Sequence, residues 1–123
     1  MTRDAARAFA DEWAASWNRR DVEAVLAHFH DEVTFTSPTA LAVVGSPAVS
    51  GRESLRDYWN TALQRIGSLR FAVDRILWDA DSRELAIIYT ATFDGNSRRV
   101  SENLKFDASG LVVSAEVFHG VPA

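Results

Sequence analysis

Between Thr2 and Asn18 the apolar residues Phe9, Trp13 and Trp17 recur at every fourth position, with Ala6, Ala10 and Ala14 beside them. That is the spacing of one helix face. Thr2 stands where a helix N-cap belongs. After Asn18-Arg19-Arg20, Asp21 is placed to cap a second, shorter helix with the stripe Val22, Val25, Leu26 and Phe29, expected to end near His30. Val33, Phe35 and Ser37 then alternate with Thr34 and Thr36, which predicts a short strand halted by Pro38, a residue with no N–H for a ladder. The segment from Pro38 to Ser50 reads as a loop with Gly45 and Pro47. Its Leu41, Val43 and Val44 make it greasy for a solvated connection, as a lid or cavity rim would be. Ser50 and Glu53 have capping-box spacing and open a third helix, with Leu55, Tyr58, Trp59, Ala62, Leu63 and Ile66 on one face and Gly67 at its end.

Beyond Gly67 the period changes from 3.6 to 2. Four strands are predicted, about Leu69 to Trp78, Glu84 to Phe93, Ser97 to Phe106 and Leu111 to His119. They are joined by Asp79-Ala80-Asp81-Ser82, Asp94-Gly95-Asn96 and Ala108-Ser109-Gly110, which carry the residues of tight antiparallel connections. Helices and one early strand followed by a meander give an α+β domain, with three N-terminal helices packed on one face of a curved, mostly antiparallel sheet. The whole chain, residues 1–123, is read as one domain.

The alternation also sorts side chains by face. On the strand from Ser97 to Phe106, Arg99, Ser101, Asn103 and Lys105 form the wet set, so Glu102 falls inward with Val100, Leu104 and Phe106. A carboxylate there is costly unless it is hydrogen-bonded, protonated or beside a water-filled cavity. His119 shares the phase of Leu111, Val113, Ala115 and Val117. Tyr89 falls in phase with Leu85, Ile87 and Phe93, Arg75 with Leu69, Phe71, Val73 and Leu77, and Ser37 with Val33 and Phe35. Together with Trp13 and Trp17 these residues describe a mostly apolar pocket holding a few convergent polar groups. The same pattern also fits a closed core in which Tyr89 bonds locally and Arg75 neutralises Glu102. The outward set Ile76, Trp78, Ile88, Thr90, Thr92, Val112 and Phe118 is apolar enough to bury a homodimer face.

Composition narrows the chemistry. The chain has no cysteine, which excludes disulfides, thiol nucleophiles and iron–sulfur ligation. Its formal charge is −4, and its basic pairs Arg19-Arg20 and Arg98-Arg99 are flanked by acids, so no nucleic-acid partner is expected. No apolar run approaches the ~20 residues of a membrane span, and Met1-Thr2-Arg3-Asp4 is not the start of a signal peptide, so the expectation is a soluble cytoplasmic protein with no membrane partner. His28-x-His30 with Asp31 and Glu32 has the residue types of a metal site. Residues two apart do not share a helix face, however, and neither metal nor cofactor is expected. Glycine-rich phosphate loops and a G-x-S-x-G elbow are absent.

The sequence resembles the nuclear transport factor 2-like superfamily, in its bacterial SnoaL-like and ketosteroid-isomerase-like branch. The resemblance spans nearly the whole chain. Its carriers are Phe9 to Trp13 continuing through Trp17-Asn18-Arg19-Arg20-Asp21, then Leu26 to Val33, Ser50-Gly51-Arg52-Glu53, and Phe106 to Val112. It implies a cone-shaped, cystatin-like α+β fold with a deep cavity between helices and sheet, commonly a homodimer through the outer sheet face. Ketosteroid isomerases set an Asp base against a Tyr and a protonated Asp that hold an oxyanion. By resemblance those roles fall on Ser37, Trp13 and Glu102, and only Glu102 keeps its chemistry, so steroid isomerisation by that route is not expected. The Asp–Arg–Asp arrangement of related epoxide hydrolases has no equivalent among the inward residues. Cyclase-like relatives use a carboxylate with a nearby His, a logic that Glu102 and His119 can supply. The expectation is a small-molecule site without cofactor. Glu102 and His119 are its acid/base pair, and Trp13, Trp17, Phe35, Ser37, Trp59 and Tyr89 are its ligand contacts. The alternatives are ligand binding without turnover and a dimerisation module.

Overall fold

The structure, a computed structural model, covers residues 1–123. Helix α1 spans Arg3–Asn18, and the Thr2 side chain accepts from the Ala5 N–H, as an N-cap does. Asp21 caps α2 (Val22–Leu26) in the same way. That helix stops at Leu26, short of the expected His30. The stripe nevertheless stays buried, because Phe29 opens strand β1 (Phe29–Thr36) and still turns into the core.

The expected loop is a fourth helix. Pro38–Val44 forms α3, with Pro38 in the first turn, where its missing N–H costs nothing, and Gly45 closing it in the left-handed region at φ 79°. Ser37 is its N-cap, its hydroxyl accepting from the Thr39 N–H. A short strand β2 (Ala48–Ser50) follows and pairs with β1. Ser50 is therefore committed to a ladder, the Ser50–Glu53 capping box does not form, and α4 (Arg52–Gln64) starts from Gly51 at φ 90°. Glu53 instead pairs with Arg56.

Strands β3 (Leu69–Asp79), β4 (Glu84–Phe93), β5 (Asn96–Phe106) and β6 (Val112–Pro122) complete a six-stranded sheet in the order β2-β1-β6-β5-β4-β3. All pairings are antiparallel except β1 with β6. The four helices cover one face. α1 is clamped to the edge strand by Asn18, whose amide donates to the Phe71 carbonyl at 3.0 Å and accepts from the Phe71 N–H at 2.7 Å.

Two irregularities change the facing of side chains. Between Val73 and Arg75 the β3–β4 register slips by one, and such a slip carries every later residue to the other face. Ile76, expected outside, is buried opposite Ile87. Arg75, expected inside, is exposed on Asp74 and does not reach Glu102. A second slip lies between Lys105 and Phe106, where β6 carries an extra residue at Val113. Val112 is consequently buried rather than outward, while Ala115, Val117 and His119 keep the inner phase.

Candidate functional site

Cross-strand register arranges the inner face of the sheet in rows. Ile87, Glu102 and Val117 are direct neighbours on β4, β5 and β6, and the next row is Tyr89, Val100 and His119. Glu102 thus lies diagonal to Tyr89 on one side and to His119 on the other, the second-neighbour relation in which long side chains still meet. The Tyr89 hydroxyl donates to Glu102 Oε1 at 3.1 Å. No protein group bonds Oε2, which opens on the space between sheet and helices.

That space is a pocket of about 100 Å³ with 18 lining residues, 14 of them hydrophobic. Its floor is the sheet, with Phe35, Phe71, Tyr89, Ala91, Val100, Glu102 and Val117; Tyr58, Trp59, Ala62 and Leu63 of α4 make the roof, and Trp17 of α1 closes one side. Trp17, Phe35, Ser37, Trp59, Tyr89, Glu102 and His119, seven of the eight residues singled out from sequence, line it together. Trp13 does not. It is buried between α1 and the sheet, stacked on Phe71 at 5.4 Å and edge-on to Tyr89 at 5.1 Å, and its indole N–H has no partner. Its place in the stripe was legible. Its contact was not, because helix phase reports burial and not which side of a neighbouring ring a side chain meets.

Tyr58 is the residue that sequence reasoning missed. Its spacing puts it on the core face of α4, yet it lines the pocket beside Ser37 and Phe35. Burial pushes its hydroxyl up to about 12, an effect that the neighbouring Ser37 hydroxyl offsets and the Glu102 charge reinforces. Burial likewise raises the Glu102 carboxyl from 4.5 to about 7, opposed by the Tyr89 hydrogen bond. Tyr89 is raised well above its ordinary value by burial and by that same carboxylate. His119 stands at the mouth, exposed on one side, and its imidazole is held below 6.5 by partial burial and by the Arg98 charge.

A half-ionised carboxyl at neutral pH with one oxygen tethered and the other free can take a proton from a bound molecule or deliver one. The aromatic walls can hold an apolar body but offer it few hydrogen bonds. The two remaining histidines do not converge on a metal site. His28 packs edge-on against Phe9, and His30 Nδ1 accepts from the Glu32 N–H.

Residues 10–115 match the SnoaL-like domain family. The chain belongs to that family. Among solved structures, a SnoaL-like protein of unknown function from Burkholderia thailandensis is 29% identical with a TM-score of 0.88, covering 98% of both chains. A protein of unknown function with a cystatin-like fold from Methylobium petroleophilum is 25% identical, with a TM-score of 0.80 over all of this chain and 80% of its own. SalBIII, described as an epoxide hydrolase/cyclase-like enzyme in pyran ring formation, shares the fold at 17% identity and a TM-score of 0.76, over 96% of this chain and 92% of its own. No curated protein matches the chain in sequence. The SnoaL-like architecture is thus that of the nuclear transport factor 2-like and ketosteroid-isomerase-like fold, whose neighbours include cyclase-like enzymes and many proteins without a known activity. No helix of this member is long and apolar enough to cross a membrane.

Proposed function

We propose that this SnoaL-like protein binds a small, mostly apolar metabolite bearing a carbonyl or enol group, and that Glu102 exchanges a proton with it in isomerase- or cyclase-type chemistry. The carrying observation is the free Oε2 of a buried carboxylate, the one acidic group among the 18 lining residues. In the ionised form Glu102 removes a proton from the carbon beside the carbonyl, the C–H electron pair moves into the enolate, and the protonated carboxyl returns the proton at another atom. Tyr89 restrains Oε1, and so fixes the direction of Oε2. His119, one row away at the mouth, exchanges protons between the pocket and water. No metal or cofactor enters this scheme. We also propose that the protein acts as a homodimer joined through its outer sheet face.

A probe with one acidic C–H tests the base without knowledge of the natural substrate. In 5-nitrobenzisoxazole, removal of the ring C–H proton breaks the N–O bond and releases a coloured phenolate. The protein is expected to accelerate this with a rate that rises through about pH 7, following Glu102 ionisation. Glu102→Gln should lower it by at least about 100-fold, the scale of a positioned base. His119→Ala should have a smaller effect. Equal rates for wild type and Glu102→Gln would end the proton-transfer reading. Saturable binding of the probe without turnover in either protein would make this a ligand-binding module instead.

A further inference from the structure

The pocket is not closed at the His119 end. Its lining continues into a broader groove through five shared residues, Thr39, Ala91, Phe93, Val100 and His119. The two spaces differ in character, since 14 of 18 residues are hydrophobic in the inner one and 5 of 14 in the outer. The groove holds Arg98, which shares the inner phase of β5 with Val100 and Glu102 and stands opposite Ala91 on β4. Arg98 makes no ion pair and no side-chain hydrogen bond, although its neighbour Arg99 is held by Asp74 and Thr90. The acid of the groove, Asp94, is not within ion-pair distance of Arg98; its Oδ1 accepts from the Ser68 N–H at 2.8 Å.

The mouth therefore presents a guanidinium without an ion-pair partner beside an imidazole. The two disfavour each other's charge, since Arg98 contributes to holding His119 below its ordinary value. A guanidinium is built to grip a carboxylate through two parallel N–H donors. We propose that the site takes an amphiphilic anion, a molecule whose apolar body fills the inner pocket and whose carboxylate lies at the mouth between Arg98 and His119. Arg98 is four residues from Glu102 along β5, roughly 13 Å of strand, so the ligand is elongated and its reacting carbon sits well away from its charge. This names the ligand class for the site proposed above and rests on that reading of the pocket.

The test uses two probes of equal shape, 4-phenylbutyrate and its uncharged amide 4-phenylbutyramide, titrated by calorimetry near neutral pH. Wild type is expected to bind the carboxylate about tenfold more tightly, the scale of one charge-assisted bond. Arg98→Gln should bring the two affinities together by weakening the carboxylate alone. Arg70→Gln, which removes an exposed positive charge from the outer face of the sheet opposite Thr92, should leave the preference intact. Equal affinities in wild type would overturn the anionic mouth while leaving the apolar pocket standing. A preference that survives Arg98→Gln, or disappears equally in Arg70→Gln, would overturn the role of Arg98. Failure of both probes to bind would overturn the pocket as a ligand site as well.

Discussion

Glu102 is where stability and chemistry pull apart. Its carboxyl ionises near 4.5 in an unfolded chain and near 7 in the folded one, so between those values the folded state holds a proton that the unfolded state has released. Under that linkage the contribution of Glu102 to stability falls as pH rises from about 4.5 to about 7 and stays low above it. The shift corresponds to about 3 kcal/mol. Glu102→Gln keeps an oxygen to accept from Tyr89 and removes the ionisation. The variant should match wild type near pH 4 and exceed it by about 3 kcal/mol near pH 8 in denaturant titrations. His119, whose depressed pKa makes the folded state lose stability as pH falls below 6.5, is present in both proteins and drops out of the comparison. Superimposable pH profiles for the two would show that residue 102 is solvated. The sequence exposed this tension because only one acid falls in the apolar phase of its strand. It hid Tyr58, because a tyrosine among Leu55, Trp59 and Ala62 looks like any other core residue until Ser37 and Glu102 are seen beside it.

At the scale of elements, the pocket depends on how the end of α4 is held. Arg20, at φ 58°, reaches across from the α1–α2 turn, and its guanidinium donates to the Leu63 carbonyl at 2.6 Å and the Ile66 carbonyl at 3.0 Å. The Leu63 carbonyl also accepts from the Ile66 N–H in the closing turn, the Ile66 carbonyl lies just past the helix, and a cation there meets the negative end of the helix dipole. Leu63 and Ile66 line the pocket, so one side chain ties the roof to the first helix. Arg20→Ala should lower stability by about 1–2 kcal/mol, read in chemical denaturation, and weaken binding of a phenyl probe. A change in neither would show that α4 holds its end unaided. The Arg19-Arg20 pair looks from sequence like solvated turn charge, since nothing local announces a partner 43 residues away. The periodic elements α1, α4 and β4 were legible for the opposite reason, as each buries one uninterrupted face. Helix α3 was not, because Pro38 to Val44 has only Thr39 to set a polar face against an apolar one and its cap, Ser37, is also the last residue of a strand phase. The facings of Arg75, Ile76, Leu77, Trp78 and Val112 failed at bulges, Trp78 turning inward onto Phe106, because a bulge shifts the phase and leaves no mark in the hydrophobic alternation.

At the scale of the whole molecule, the helices cover one face of the sheet and leave the other open. An open antiparallel face is ordinarily polar. Here the row Ile88, Ser101 and Phe118 crosses its middle, with Phe118 53% exposed, and Leu77, 59% exposed, stands opposite Ala86 on β3 and β4. The bulge at Asp74 brings Leu77 to this face as it withdraws Ile76 and replaces one apolar contact by another. Around the strip, Arg75 and Arg99 converge on Asp74, giving an apolar centre a charged rim, the usual anatomy of a protein interface. Face-to-face pairing about a two-fold axis would set Phe118 against the partner's sheet and leave both pocket mouths open. Sedimentation equilibrium at micromolar concentration should return about twice the chain mass of 13.6 kDa. Phe118→Asp should return the single-chain mass, because a carboxylate would be buried at the centre of the joint. The fold and the pocket should survive in that variant, since Phe118 points away from Glu102. A wild-type mass of one chain, or a dimer indifferent to Phe118→Asp, would remove the outer sheet as the joining surface.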